Sequence, residues 1–360
     1  MIRQDDLVQW LIDNGGEVIR YRTASELTKG YSVSTLEEMG RDLLQSELVQ
    51  YWLSCLSGKT GFNDIHGRRD KCFENAMGKL TLFGLRKGMA DFDLRCKTYL
   101  NLITGLDKEW SVIEVLSRTI VASLLAMGGY LTETKVRGWI EERLDTVYGF
   151  VKKGLYSIYV DKFEFKNIPA AFKNHPLINP DLYAHGKFAL PWIYDIFAFS
   201  VLHNQTKEQG IRAKIASVIS YILDTRYQQL HDGYGIVLTG KNHYNVMGWN
   251  VWLPGYKRMH ANSFSMGCLI QRLELMSRFP DVLSNQWFTN NLDHLGSFKT
   301  DNRGYIFPKQ YIQERKNSYF VTGAHMGLGE NRRNKLAYKV ESTFWMLKIM
   351  NNVVGVSERA

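Results

Sequence analysis

The stretch HDGYGIVLTGKNHYNVMGWNVWLPGYKRMHAN, residues 231–262, interrupts a chain that is otherwise patterned for helices. Its five glycines and one proline cannot continue a single regular helix. It also brings three tyrosines and two tryptophans beside histidine, arginine and asparagine side chains. Aromatic rings on a loop, next to titratable and hydrogen-bonding groups, are typical of a pocket wall. We therefore predict that this loop borders the functional site.

Apolar residues recur at helical spacing on both sides of this loop. A short helix capped by Thr23 is also predicted after the segment VIRYRT. Residues 154–191 hold four of the seven prolines and are predicted to form a long connection. A small hairpin is predicted within residues 300–321. The main helices are predicted over residues 5–13, 34–57, 70–85, 91–104, 109–127, 132–151, 192–203, 207–229, 263–278, 281–295 and 334–350.

The order of these elements limits the fold. No strand recurs between the helices, which disfavours doubly wound and TIM-barrel architectures. No repeat of the tetratricopeptide or ankyrin kind is visible. A rhythm of roughly 20–25 residues per helix and loop instead indicates helical hairpins that close into a ring.

Three segments resemble the α/α-toroid proteins related to prenyltransferases and terpenoid cyclases. HDGYG (231–235) and DNRGYIFP (301–308) are similar to the Asp-Gly-aromatic segments of that family, and ESTFWMLKIM (341–350) to the helix start that follows them. The resemblance implies an all-α fold, an (α/α) toroid of about six helical hairpins, with short β pieces in the C-terminal third. We expect a single domain, residues 1–360, in which residues 1–60 form a looser helical part. The catalytic motifs of those enzymes, an Asp-x-Asp-Asp acid motif and an Asp, Cys and His zinc site, are not found.

The composition favours some classes of ligand and some cellular locations over others. The net charge of +9 favours anionic ligands such as phosphates, uronic-acid sugars or nucleic acid. The four cysteines show neither a CxxC nor a metal-finger spacing, which is typical of free thiols in a reducing compartment. No apolar run is long enough to span a membrane. We predict a cytoplasmic protein, with no metal site, and the sequence specifies no cofactor.

The central loop supplies the first candidate site. A tyrosine and a histidine can share acid and base work at a carbon next to a carbonyl, while asparagine and arginine stabilise the resulting anion. Lyase chemistry on a uronic acid needs such a set. The alternative is that the rings pack between helices with the histidines hydrogen-bonded nearby. The predicted catalytic residues are His243, Tyr244, Arg258 and His260, and the predicted substrate-binding residues are Asn245, Trp249, Trp252 and Tyr256.

A second candidate site lies in the glycine-flanked segment GFNDIHGRRDKCFEN, residues 61–75. Asp64 and His66 are predicted as catalytic residues, since an Asp-x-His pair in a loop can poise a histidine. Glu74 and Asn75 follow on the next helix, where a carboxylate can face the same space. The alternative is helix capping by Asp70 with surface ion pairs, which contribute little.

Three weaker candidates complete the set. His185 and Trp192 are predicted to bind substrate at the start of a helix, although a buried, hydrogen-bonded histidine is the alternative. The segment GAHMGLGENRRNK (323–335) can present backbone amides and arginines to an anion, or can simply be solvated charge. Asp64, Asp195 and Asp232 are carboxylates available for glycoside hydrolysis, which requires a defined separation between two of them.

These observations predict an enzyme that acts in a central aromatic-lined cavity on an anionic, polyhydroxylated (sugar-like) or isoprenoid substrate. A lyase, a glycosidase or epimerase, and a prenyltransferase- or cyclase-like enzyme all stay open. The expected partner is a small molecule or oligosaccharide. The alternative function is a non-catalytic helical scaffold or nucleic-acid-binding protein that uses a basic concave face.

Overall fold

The computed structural model describes residues 4–103, 110–184, 187–256, 263–300 and 304–358. About 60% of the described residues are helical, and a small four-stranded sheet is the main β structure among them. The predicted mostly helical fold is therefore confirmed. Within the described residues, no helix combines the length and the apolarity needed to cross a membrane.

Fifteen α-helices are found in the described residues, and most of them match the helices that the apolar spacing predicts. They are α1 (Gln4–Asn14), α2 (Glu17–Glu26), α3 (Val33–Gln45), α4 (Glu47–Cys55), α5 (Phe62–Ile65), α6 (Phe73–Leu82), α7 (Ala90–Leu102), α8 (Val112–Met127), α9 (Thr134–Val151), α10 (Ile193–Gln205), α11 (Gln209–Leu223), α12 (Thr225–Gln228), α13 (Ser263–Met276), α14 (Gln286–Gly296) and α15 (Ala337–Ser357).

Several helices are buried on nearly every side. All ten residues of α6 are buried, as are most residues of α8 and α10 and the first half of α15. A helix that is apolar all round belongs in a protein interior. Contacts run from α6 to α8, then to α10, α13, α15 and α2. Arg22 on α2 donates a hydrogen bond of 2.8 Å to the carbonyl of Leu82, the last residue of α6.

The remaining long helices are partly exposed and pack on this buried set. Helix α9 contacts α8, α10 and α11, while α7 contacts α8. Helix α3 contacts α2, α4 contacts α6, and α14 contacts α13. The buried helices thus carry a second, amphipathic layer whose polar faces meet solvent.

The sheet is built from the long connection and the central loop. Its strands are β1 (Tyr159–Val160), β2 (Leu177–Ile178), β3 (Ile236–Gly240) and β4 (His243–Val246), in the order β1-β2-β3-β4. Strand β2 pairs in parallel with β3, and the outer pairs are antiparallel. A separate apolar cluster forms around Leu177, Ile236 and Tyr244. Gly235 has a φ of +133°, and a Cβ there would lie 2.2 Å from the carbonyl oxygen of Pro176, so only glycine fits this crossing.

Two local predictions are wrong. The segment VIRYRT lies inside α2, where Thr23 is fully buried, instead of preceding a capped helix. The hairpin predicted within residues 300–321 is replaced, in the described part of that segment, by isolated bridges at Lys299–Tyr305 and Glu314–His325. The backbone N–H groups of Tyr305 and Phe307 instead donate to the side chains of Thr343 and Ser342, at 2.9 Å each. Side chains of α15 therefore satisfy donors that a second strand would otherwise take. Three of the four strands lie before the C-terminal third in which β pieces are predicted.

Candidate functional site

Segments that precede buried helices meet in one aromatic cluster. His66 comes from the loop before α6, Trp249 from the loop before α13, and Tyr319 from the segment before α15. The His66 ring stacks on Tyr319 with centroids 4.9 Å apart and meets the Trp249 ring edge-on at 5.0 Å. Trp249 and Tyr319 are 4.6 Å apart. We call the set His66, Glu74, Tyr194, Trp249 and Tyr319 the histidine cluster.

A buried carboxylate orients His66. Oε2 of Glu74 lies 2.6 Å from Nδ1 of His66, and the Glu74 side chain has no exposed surface. Because an ionised carboxylate only accepts hydrogen bonds, Nδ1 carries the proton of this contact. Nε2 has no hydrogen-bond partner among the described residues. A carboxylate that fixes one ring nitrogen and leaves the other unpartnered is the arrangement of a histidine poised for proton transfer.

Tyr194 lies beside this pair, with its ring centroid 6.5 Å from that of His66. Oε1 of Glu74 and the Tyr194 hydroxyl are both buried, and neither makes a hydrogen bond of 3.5 Å or less to a described residue. Burial, together with the nearby Glu74 carboxylate, raises the pKa of Tyr194 well above its ordinary value. Tyr194 therefore stays a neutral phenol.

Asn75 holds the two sides of the cluster together. Its amide donates hydrogen bonds of 3.0 Å to the carbonyls of Gly67 and Arg69, just after His66. Its carbonyl oxygen accepts the N–H of Phe320, next to Tyr319, at 2.7 Å. A fully buried amide that makes three such bonds fixes both backbones. The stacking of His66 on Tyr319 is thus set by the first turn of α6.

The backbone of Trp249 is strained. Its φ is +66°, in the left-handed region that a bulky side chain rarely adopts. The carbonyl of Trp249 accepts the N–H of Ile193 at 2.9 Å, which ties this turn to the start of α10. Strain of this kind costs about 1–3 kcal/mol and persists where the surroundings dictate it, often at functional sites. Here it directs the indole towards His66.

One cation, Arg68, lies against the cluster, in a segment that also carries Arg69 and Lys71. Arg68, Arg69 and Lys71 are exposed, and the Arg68 guanidinium lies 5.6 Å from the centroid of Tyr319. An exposed guanidinium over a ring that also borders His66 can meet a negatively charged group on a bound molecule. The cluster thus combines a hydrogen-bonded histidine, two partly exposed aromatic rings and a nearby positive charge.

The central-loop residues are divided among different places. His243 and Asn245 are exposed on the edge strand β4, where the Asn245 amide donates to Oγ1 of Thr239 at 2.7 Å. Tyr244 is buried in the small apolar cluster, and its hydroxyl donates to the carbonyl of Lys166 at 2.9 Å. The described contacts join none of these three to His66. Of this loop's predicted residues that the structure describes, only Trp249 enters the histidine cluster.

The other predicted binding residues have structural contacts. Trp192 is fully buried, stacked on Phe188 at 4.3 Å. Trp252 is half-buried, and its carbonyl accepts from the Arg272 side chain at 3.2 Å. The hydroxyl of Tyr256 donates to the carbonyl of Leu223 at 2.8 Å. Three further predicted residues lie outside the described residues, namely His185, Arg258 and His260.

The three carboxylates considered for glycoside hydrolysis lie in different environments. Asp195 is fully buried in an ion pair with Arg143, at 2.7 Å, and its second contact is the N–H of Trp192. Asp64 is half-buried on the one-turn helix α5, and Asp232 is exposed. The locked geometry of Asp195 is that of a structural group rather than of a glycosidase acid. Among the described residues no three His, Cys, Asp or Glu side chains group as metal ligands.

The segment around His325 forms a second buried network. Lys79 on α6 binds Glu314 and donates to the carbonyls of His325 and Gly327, at 3.0 and 2.6 Å. Burial and the charge of Lys79 lower the pKa of His325. Glu341 on α15 accepts the N–H of Leu328 at 2.7 Å. These contacts hold the segment before α15 in place, so the role of His325 is structural.

Sequence reasoning names three of the five cluster residues from local patterns, His66, Glu74 and Trp249. Tyr194 lies two residues after Trp192, which is predicted to bind substrate, and Tyr319 is missed because its segment is predicted to form a hairpin. The separation of 245 residues between Asn75 and Phe320 leaves no spacing signal for this contact. A signal for Tyr319 is present only in its flanks, since two glycines and a His follow it closely.

Searches of the chain against models of known protein families, curated proteins and solved structures found no match.

Proposed function

We propose that the protein is an enzyme in which His66 transfers a proton to or from a sugar-like anionic substrate bound against Trp249 and Tyr319. One observation carries this proposal: Nδ1 of His66 is bound by the buried Glu74, while Nε2 has no partner among the described residues. A positioned histidine contributes about 10²–10⁴-fold to a reaction limited by proton transfer.

The reaction class that this arrangement favours is proton abstraction from a carbon bonded to a carboxylate. Nε2 of neutral His66 takes the proton, Glu74 stabilises the resulting imidazolium, and Arg68 offsets the negative charge of the substrate. The electron pair of the broken C–H bond then either expels a group on the next carbon, as in a lyase, or recaptures a proton, as in an epimerase. Glycosidase chemistry has less support, because Asp195 is held by Arg143.

The class of substrate follows from the aromatic rings and cations near His66. Flat aromatic rings pack against the apolar face of a sugar ring, and both Trp249 and Tyr319 are partly exposed. The net charge of +9 and the exposed Arg68, Arg69 and Lys71 favour a carboxylate-bearing sugar over a neutral one. An isoprenoid hydrocarbon, which carries no charge, would leave these cations unused.

The proposal includes the arrangement of the helices as a toroid. The circuit of contacts through α6, α8, α10, α13, α15 and α2, with a second helical layer outside, supports an (α/α) toroid of about six hairpins in one domain. The long loops that carry His66, Trp249 and Tyr319 all precede helices of this circuit, so they would meet at one end of the ring. Four buried free cysteines support a cytoplasmic location.

Solvent-deuterium exchange tests the proposal. The protein is incubated in D₂O with polyuronates and with monomeric uronic acids, and exchange at carbon is followed by NMR. A conjugated double bond, detected by ultraviolet absorbance, separates elimination from epimerisation. We expect exchange with wild type, a loss of at least about 100-fold in His66→Ala, and near-normal rates in Asp64→Ala. Exchange that survives in His66→Ala, or none with any uronic acid, contradicts the proposal.

A nucleic-acid-binding scaffold is the second candidate, because Arg68, Arg69 and Lys71 are exposed side by side. Its affinity would fall steeply as salt rises from low to moderate concentration, whereas catalysis on a small substrate would not. Fluorescence anisotropy with labelled single- and double-stranded oligonucleotides over a salt series distinguishes the two.

A further inference from the structure

A surface groove lies between the end of the central loop and helix α14. It has a volume of about 560 Å³, within the range of about 300–1,000 Å³ of small-molecule sites. Its walls include Tyr256, Gln286, Trp287, Asn290 and Asn291. We propose that this groove binds an uncharged, polyhydroxylated ligand, such as a neutral oligosaccharide. The proposal does not depend on the function assigned to His66.

The aromatic side of the groove is rigid. The rings of Tyr256 and Trp287 are stacked, with centroids 6.0 Å apart and an angle of 16° between their planes. The indole N–H of Trp287 donates to the carbonyl of Pro254 at 2.6 Å, and the Tyr256 hydroxyl donates to the carbonyl of Leu223. Trp287 is buried and supports Tyr256, the partly exposed ring of the pair. A ring fixed in this way loses little conformational entropy when a sugar packs on it.

Another part of the wall is a row of hydrogen-bonding side chains on α14. Gln286, Asn290 and His294 lie four residues apart along α14, so they share one face of the helix. Gln286 and Asn290 are exposed. The amide of Asn291, which is almost buried, donates to the carbonyl of Trp287 at 2.7 Å. The oxygen of that amide has no partner among the described residues, so it can accept a hydroxyl.

The described lining favours an uncharged ligand. Among the described residues that line this groove there is no lysine, arginine, aspartate or glutamate. Asp224, which acts on the Tyr256 hydroxyl, is already paired with Arg226 at 2.6 Å. Three other surface depressions all contain charged side chains, among them Lys187, Arg212 and Glu133. An ionic ligand would lose hydration in this groove without gaining an opposite charge, whereas hydroxyls match amides that both donate and accept.

Calorimetry and saturation-transfer NMR test the proposal on the full chain. Unbranched neutral oligomers of glucose, mannose and xylose are compared with an oligogalacturonide. We expect a neutral oligomer to bind with an affinity that salt does not change. Tyr256→Ala should weaken it about tenfold, and the exposed double change Gln286→Ala with Asn290→Ala should also weaken it.

Two control variants show whether binding is specific to this groove. Asn101→Ala changes an exposed asparagine in a different depression, and His66→Ala removes the proposed proton-transfer group. Both should leave the affinity for the neutral oligomer within about twofold. If Tyr256→Ala does not fold, the double variant decides. The proposal is overturned if no neutral oligomer binds, if the oligogalacturonide competes equally, or if neither groove variant weakens binding.

Discussion

Nδ1 of His66 lies 2.6 Å from Oε2 of Glu74, a carboxylate that has no exposed surface. The two residues are eight positions apart, one on a loop and one in the first turn of a buried helix. This pair fixes the orientation of the ring between Tyr319 and Trp249, so the effects of changing it can be measured even before a substrate is known.

Replacing Glu74 by alanine should destabilise the protein and release the His66 ring. The change leaves the buried Nδ1–H without an acceptor, which costs about 1–3 kcal/mol. Urea unfolding measures the free energy, and ¹⁵N NMR of the imidazole reports the loss of the fixed Nδ1–H tautomer. Asp64→Ala is the matched control on the adjoining one-turn helix α5, where we expect a change within about 0.5 kcal/mol, because Asp64 is only half-buried. Equal effects of the two changes would remove the special role of Glu74.

Trp249 should show an inverted preference between glycine and alanine. Its φ of +66° suits glycine, whereas alanine keeps the backbone strain and loses the ring. We therefore expect Trp249→Gly to be more stable than Trp249→Ala by about 1 kcal/mol in chemical unfolding. Trp252, which lies three residues on and has no positive φ, should show the usual order, with alanine at least as stable as glycine. The usual order at both positions would argue against strain at Trp249.

The sequence predicts the helices better than it predicts the site. Periodic apolar spacing identifies helices such as α8 and α10 because burial on a helix face depends only on local order. It misplaces the start of α2 since Arg22 and Thr23, polar residues, are buried by contacts with distant segments. Arg22, for example, meets Glu26 and the carbonyl of Leu82.

The functional site is harder to predict, because its residues come from distant parts of the chain. His66 and Glu74 are close along the chain, so a loop histidine followed by a first-turn glutamate is a visible pattern. Tyr319 is held against His66 by the hydrogen bond from the Phe320 N–H to Asn75, which no spacing indicates. His243 shows the opposite error, a residue that the sequence predicts in the site but that lies elsewhere. Its neighbours in the sequence suggest a catalytic cluster, but the pairing of β4 with β3 leaves it exposed on an edge strand. Composition locates a loop, and pairing decides which of its side chains face inward.

Asp195 should matter for folding more than for chemistry. It is paired with Arg143, and both side chains are almost fully buried. Asp195→Asn keeps the shape but leaves the guanidinium uncompensated, and breaking a buried pair costs about 3–5 kcal/mol. Asp145→Asn is the matched control, since Asp145 pairs with Lys214 on the surface and such pairs contribute about 0–1 kcal/mol. Denaturant unfolding of both variants checks the prediction, which fails if the two losses are similar.

Glu341 should make the protein less stable as the pH rises from mildly acidic to neutral. Burial raises the pKa of Glu341 from 4.5 to about 7, an effect that outweighs the neighbouring Arg332. The Arg332 side chain is 31% exposed, so solvent shares its charge and weakens the opposing influence.

The direction follows from proton binding. The folded protein holds the Glu341 proton more tightly than the unfolded chain, so the stabilisation is fully present below pH 4.5 and is lost as the pH rises through 7. The shift corresponds to a loss of up to about 3 kcal/mol across that window. Glu341→Gln cannot titrate, and every other carboxylate is common to both proteins. The difference between their unfolding free energies, measured by urea titration at intervals from pH 4.5 to 8, therefore isolates this group. We expect the wild type to lose stability relative to the variant with rising pH, and parallel curves would mean that Glu341 is already ionised at the lower end.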